Sequence, residues 1–194
     1  FTLSILASMP SEYIMIGSGS TMSTEYRFLS SKTPLESFKV IQERERGLEY
    51  RPYHFEDMFY ISTNIDNSTN FKLVKTPILS PSKNNWKDVI PHRDDVLLEE
   101  VDFFRNFMVI GERNNGLLKI RIKSWDGTED YYIGFKSGFD FEKETYNASI
   151  DLNPDYDTNV LRYNYTSLTT PYSVIDYNVE TQEEEIKKQQ EVLG

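Results

Sequence analysis

The sequence predicts an all-β fold: a β-propeller segment of four four-stranded antiparallel blades. Three observations predict it. Aromatic residues are abundant, with 13 Tyr and 12 Phe, while Ala is scarce, and aromatic and β-branched side chains suit a pleated, half-buried surface. The apolar runs are short, alternate or run continuously for a few residues, and are bounded by turn residues. The runs also recur in sets of four, and the second of each set begins near Glu12, Met58, Asn106 and Val160. That spacing of roughly 45 to 55 residues is close to the length of a propeller blade.

The first unit, 1–46, reads "FTLSILAS", "EYIMIGSGS", "TEYRFLSS", "FKVIQER". The second, 47–92, reads "LEYRPYHFE", "MFYISTN", "NFKLVKTP", "WKDVIP". The third, 95–136, reads "LLEEVDFFR", "NFMVIGERN", "LLKIRIKS", "DYYIGF", and the fourth, 141–190, "YNASIDLN", "VLRYNYTS", "YSVIDYNVE", "EEEIKKQQ". An isolated meander buries neither face well, whereas blades stacked about an axis cover one another's faces. The second strand of each unit is the most apolar, as a strand covered on both sides should be. The fourth strands carry more charge and fit an outer rim, where "ETQEEEIKK" discourages strand addition. A β-sandwich with coincidental spacing is the competing architecture. No strand reads as a returning partner that would close a four-bladed ring. With Phe1 in place of an initiator Met and a charged run before Gly194, the chain reads as an arc of a larger wheel.

The formal charge of −10 argues against nucleic acid, whose phosphates require a basic surface. The absence of cysteine removes disulfides, thiol nucleophiles and thiolate metal sites. No apolar stretch is long enough to span a membrane, and "FTLSILAS" lacks the length and basic flank of a secretion signal. The expected location is cytoplasmic, or periplasmic if a signal precedes Phe1.

The chemical motifs are few. "IGSGST", Ile16 to Thr21, is superficially like a nucleophile elbow, but Gly19 stands where the Ser belongs and a strand leads into a strand rather than a helix. As a phosphate loop it lacks the Lys and the helix. His54 and His92 are far apart and have structural or surface roles. "DLNPDYDTN" alternates Asp151, Asn153 and Asp155 like a calcium loop, yet Tyr156 replaces the turn Gly and Arg162 the bidentate Glu, which leaves a solvated turn. Asn67, Asn147 and Asn164 begin sequons that matter only in a eukaryotic secretory setting. No catalytic residue, metal site or cofactor is expected. If the first strands line an axis, then Glu49, Arg51, Glu99, Glu100, Asp102 and Asp151 border a channel that would concentrate basic peptides. Alternatively these acids pair with Arg46, Arg51 or Arg105 as structural bridges.

The stretches "IGSGSTMSTEYRFLSSKTP", "FYISTNIDNSTNFKLVKTP", "WKDVIPHRDDVLLEEVDFFRNFMVIGERNNGLLKIRI" and "LRYNYTSLTTPYSVIDYNVETQ" resemble the oligopeptidase B (protease II) branch of the prolyl oligopeptidase family of serine peptidases. The resemblance covers essentially the whole chain. One departure is "NYTS", where that branch has a Gly before the aromatic and Ser for Thr. The resemblance implies a seven-bladed N-terminal propeller, of which this chain supplies the last four blades, capping a C-terminal α/β-hydrolase domain that begins beyond Gly194. The Ser-Asp-His triad, the oxyanion hole and an acidic pocket for Arg or Lys then belong to that other domain. The implied partners are short basic peptides and the protein's own hydrolase domain, and the implied role is a lid that admits unstructured peptides and excludes folded proteins. Two other classes stay open: a stand-alone interaction propeller, and a glycan-acting propeller, which would need paired carboxylates facing one pocket. Should the chain exist alone, apolar end faces at "ILAS/YIMIG" and "VLRYNY/YSVIDY" predict self-association by two-fold pairing.

Overall fold

The structure is a computed structural model and describes residues 1–9, 11–134 and 145–192. Among the described residues the chain is all-β. Sixteen strands pair into four antiparallel four-stranded sheets, each in simple sequence order. The first sheet holds β1 (Thr2–Ala7), β2 (Tyr13–Ser20), β3 (Ser23–Ser30) and β4 (Lys39–Gln42). The second holds β5 (Tyr50–Phe55), β6 (Met58–Thr63), β7 (Lys72–Pro77) and β8 (Lys87–Ile90). The third holds β9 (Leu97–Phe103), β10 (Phe107–Asn114), β11 (Leu117–Ser124) and β12 (Asp130–Tyr132), and the fourth β13 (Tyr146–Ile150), β14 (Val160–Ser167), β15 (Ser173–Asn178) and β16 (Glu183–Gln189). The expected boundary between the third and fourth blades, 136 to 141, lies outside the described residues. The chain divides into two compact units, Phe1–Asp94 and Asp95–Gly194, each of two sheets.

Local chemistry explains the pairing. Asn115 and Gly116 both take positive φ between β10 and β11, as a two-residue hairpin turn demands and Asn-Gly supplies. The middle strands carry the deepest residues: Phe59, Ile61, Leu73, Val109, Ile122, Leu161 and Ile175 are fully buried. β16, by contrast, is almost wholly exposed, in keeping with its charge.

Within each unit the second sheet clasps the first through a tyrosine at the start of its leading strand. In the first unit the Tyr50 hydroxyl donates to the Gln42 carbonyl at 2.5 Å and accepts from the Tyr26 amide at 2.8 Å. Thr24 Oγ1 bridges to the backbone of the same Tyr50, donating to its carbonyl and accepting from its amide. In the second unit the Tyr146 hydroxyl donates to the Leu118 carbonyl at 2.7 Å. Burial pushes both phenols up to about 12, so both stay protonated donors. Each unit has its own core: Phe28, Ile41, Tyr50, Phe59 and Ile61 in the first, and Val109, Ile120, Ile122, Leu161, Tyr163 and Ile175 in the second.

The end faces differ from expectation. The aromatic and aliphatic set of the fourth sheet, Leu161, Tyr163, Tyr165, Ile175 and Tyr177, is buried against the third sheet. The alternating residues turned the other way are mostly polar, Val160 and Val174 among them excepted, with Arg162 forked onto Asp176 at 2.7 and 2.8 Å. The residues of "VLRYNY/YSVIDY" therefore do not form an apolar outer face. β1 does, with Leu3 and Ile5 both about 70% exposed.

Candidate functional site

Antiparallel order fixes where side chains and turns fall. In every sheet the turns joining the first strand to the second and the third to the fourth lie at one end. The middle turn and the connections between sheets lie at the other.

The channel candidates sit on or beside the leading strands, in varied settings. Glu49 precedes β5, its amide held by Asn64 Oδ1 at 2.9 Å and its carbonyl by the Thr63 hydroxyl. Arg51 is exposed on β5 with its guanidinium over the Tyr53 ring, 5.4 Å from the centroid. Glu99 is the extra residue of a β-bulge, because Glu100 faces Gly111 while Leu98 faces Glu112. Its carboxylate takes the Arg113 fork, with Nε and Nη2 at 2.9 and 2.7 Å from Oε2. Glu100 lies across Gly111, and its Oε1 accepts from the Ile150 amide of β13 at 3.3 Å. Asp102 faces Val109. Asp151 follows β13 at the turn end, where its Oδ1 accepts from the Leu152 amide. Glu100 and the end of β13 are thus brought together, whereas Glu49 and Asp151 occupy opposite ends of their respective strands.

The motifs resolve into structural parts. "IGSGST" is the β2–β3 hairpin, and it receives Arg44. Arg44 Nη2 donates to the carbonyl and hydroxyl oxygens of Ser18 at 2.6 and 2.8 Å, and Nη1 to those of Ser23 at 2.8 and 3.0 Å. His54 is buried, with Nε2 2.6 Å from the Glu56 carbonyl, and His92 Nε2 accepts from the Asn70 amide at 3.3 Å. Asn153 organises the "DLNPDYDTN" turn: its amide nitrogen donates to the Asp151 and Arg162 carbonyls, and its oxygen accepts from the Arg162 amide.

Sequence reading missed one ionic network on the third sheet. Buried Glu112 receives Arg121 Nη1 at 3.1 Å and the Tyr132 hydroxyl. Arg121 also forks onto Asp130 at 2.6 and 2.8 Å, and Lys123 adds a third contact at 2.7 Å. Arg121 holds the Asp130 carboxyl down at about 2. The alternation of "KIRIK" opposite "EDYY" is the signal for this network, since residues on adjacent strands share a face in register.

Among the described residues, each unit has a groove between its neighbouring sheets at the end that carries the first-to-second and third-to-fourth turns. The groove in the first unit, about 360 Å³, is bordered by Glu36 and Lys39, one charge of each sign. The groove in the second, about 470 Å³, has Phe107, Ile122, Trp125 and Val179 as its floor and Asp126, Glu129 and Glu180 on its rim. Trp125 is fixed by stacking on Phe103 and by donating from Nε1 to the Phe104 carbonyl at 2.9 Å. No group of three or more acidic or His side chains among the described residues is arranged to hold a metal ion.

Residues 1–190 match the family described as prolyl oligopeptidase, N-terminal beta-propeller domain. The chain is 38% identical over its whole length to dipeptidyl aminopeptidase BI of Pseudoxanthomonas mexicana and 27% identical to protease 2 of Moraxella lacunata. It spans 26% of the length of either relative. In fold it is similar to oligopeptidase B from Leishmania major, with a TM-score of 0.87 at 22% identity, covering all of this chain and 28% of that one. Oligopeptidase B from Trypanosoma brucei with covalently bound antipain, in a closed form, gives 0.86 at 24%, covering 98% and 28%. Four successive four-stranded meanders and a family match running from the first residue to 190 agree: the chain belongs to the N-terminal β-propeller domain of the prolyl oligopeptidase family.

Proposed function

We propose that this chain is the substrate-gating propeller of a serine oligopeptidase that hydrolyses short peptides after Arg or Lys. The observation that carries the reading is the family match over residues 1–190, to a propeller domain of peptidases. The strong negative charge supports the basic preference, because an acidic surface raises the local concentration of cationic peptides. The propeller's part is steric and electrostatic. Closure against a hydrolase domain would shut out water and folded proteins and complete the site. The nucleophile, its base and the oxyanion donors are assigned to that second domain, since the elbow-like stretch Ile16 to Thr21 is a strand-to-strand hairpin that holds Arg44.

A second reading has its own support. The 38% identical relative is named a dipeptidyl aminopeptidase, which points to removal of residue pairs from a free amino terminus. The full-length protein should be assayed on an Arg-ending chromogenic peptide with a blocked amino terminus, on a free dipeptidyl counterpart, and on a folded protein bearing exposed Arg. Cleavage of the blocked peptide and sparing of the folded protein are expected. Cleavage of the free dipeptidyl substrate alone would replace this reading with the second, and loss of size selection would remove the gating role. The 194-residue chain by itself should turn over nothing above a mock purification.

A further inference from the structure

The groove of the second unit combines an apolar, aromatic floor with a rim on which carboxylates outnumber cations. Asp126, Glu129 and Glu180 all border it and are exposed. None of the three makes an ion pair among the described residues: Asp126 Oδ1 accepts from the Thr128 amide and hydroxyl and the Ser124 hydroxyl, and Glu180 Oε1 accepts from Asn159 Nδ2 at 2.8 Å. Among the described residues the one cation that borders it, Arg105, pairs with Asp157 at 2.8 Å. The first unit forms a groove at the same place between its two sheets, and there the rim charges balance. The architecture therefore makes the groove, and the sequence of this unit alone makes it acidic.

We propose that this groove docks one lysine or arginine side chain of a peptide. The alkyl stem would lie on Trp125 and Val179, and the charged head would reach the carboxylates of the rim. Long cationic side chains have this division between an apolar stem and a hydrated head, and a guanidinium or ammonium over an indole face is itself favourable. The proposal deepens the reading of the parent as a peptidase for basic peptides and takes from it only the source of the cation.

The test uses the full-length protein, Nα-acetyl-arginine N-methylamide, and its neutral isostere Nα-acetyl-citrulline N-methylamide. Amide exchange of the turns 124–129 and 178–182 is followed by mass spectrometry as each compound is titrated. The arginine compound should slow exchange in both turns saturably, and the citrulline compound should act about tenfold more weakly. Glu129→Gln with Glu180→Gln should weaken the arginine effect by a similar factor at an unchanged melting temperature. Asp126 is left intact because its carboxylate shapes the turn. In the unsubstituted protein the effect should fade at about 0.5 M salt, where the Debye length is about 4 Å, a check that needs no variant. No slowing, equal slowing by citrulline, or an arginine effect that survives either the double substitution or the salt would overturn the proposal. The readout requires no turnover, so a parent with another cleavage preference would fail the hydrolysis assay while leaving this result standing.

Discussion

Glu100 lies directly across Gly111. A β-carbon added to that glycine would stand 2.6 Å from Glu100 Cγ and 3.2 Å from its Oε1. The glycine is what allows the carboxylate to reach the Ile150 amide on the next sheet. Gly111→Ala should therefore destabilise the second unit by about 1–3 kcal/mol, the usual range for overpacking. The decisive measurement is the melting temperature of a double-mutant cycle with Glu100→Ala. Most of the cost should vanish on the truncated background; an undiminished cost would place the strain in the β10 backbone instead.

The tyrosine clasps differ in what they hold. Tyr50→Phe removes a donor to Gln42 and an acceptor for the Tyr26 amide, whereas Tyr146→Phe removes the donor to the Leu118 carbonyl. Losses of about 2–3 and about 1–2 kcal/mol are expected, in that order, because a buried backbone group left without a partner costs more than the net value of a bond. Chemical denaturation of the two variants checks the ranking.

Arg44 should resist conservative replacement. Its two terminal nitrogens meet four oxygens of the β2–β3 hairpin, and a lysine ammonium cannot reproduce that fork. Arg44→Lys should lose about 1–3 kcal/mol, with faster amide exchange concentrated in β2 and β3. Exchange accelerated evenly through the molecule would contradict this local role.

Two carboxyls should act on stability with opposite pH dependence. Arg121 depresses Asp130 to about 2, so its contribution is complete above the ordinary value of about 4 and is lost as pH falls from there toward 2. Glu184 is raised above its ordinary value by burial, opposed by the Tyr163 hydroxyl bond. Its contribution is complete below about 4 and is lost as pH rises through the folded value. Melting curves from pH 2 to 8 should show Asp130→Asn flattening the acid limb and Glu184→Gln removing the decline on the other side, with a gain in stability at neutral pH.

The fold was legible because strand periodicity, the turn residues that bound the runs and the recurring run of four all state local preferences. The fate of individual charges was not. Glu99 reads as one of three acids on a strand, but the bulge that isolates it and sends it to Arg113 depends on pairing with β10. The clamp on "IGSGST" is closed by an arginine 26 residues from Ser18, a separation that no motif spans. The aromatic alternation of β14 and β15 tells which residues share a face. Only the presence of the third sheet decides that Tyr163 and Ile175 are the covered ones.

The clasps also give assembly a direction. The group that fastens each first sheet belongs to the leading strand of the sheet that follows it, with Tyr146 lying 28 residues beyond the Leu118 carbonyl it secures. During synthesis a sheet therefore emerges from the ribosome before its fastener does, and at about 5–20 residues per second it waits on the order of a second to be secured. Sheets of this kind are completed by their successors, and their assembly runs in the order of translation.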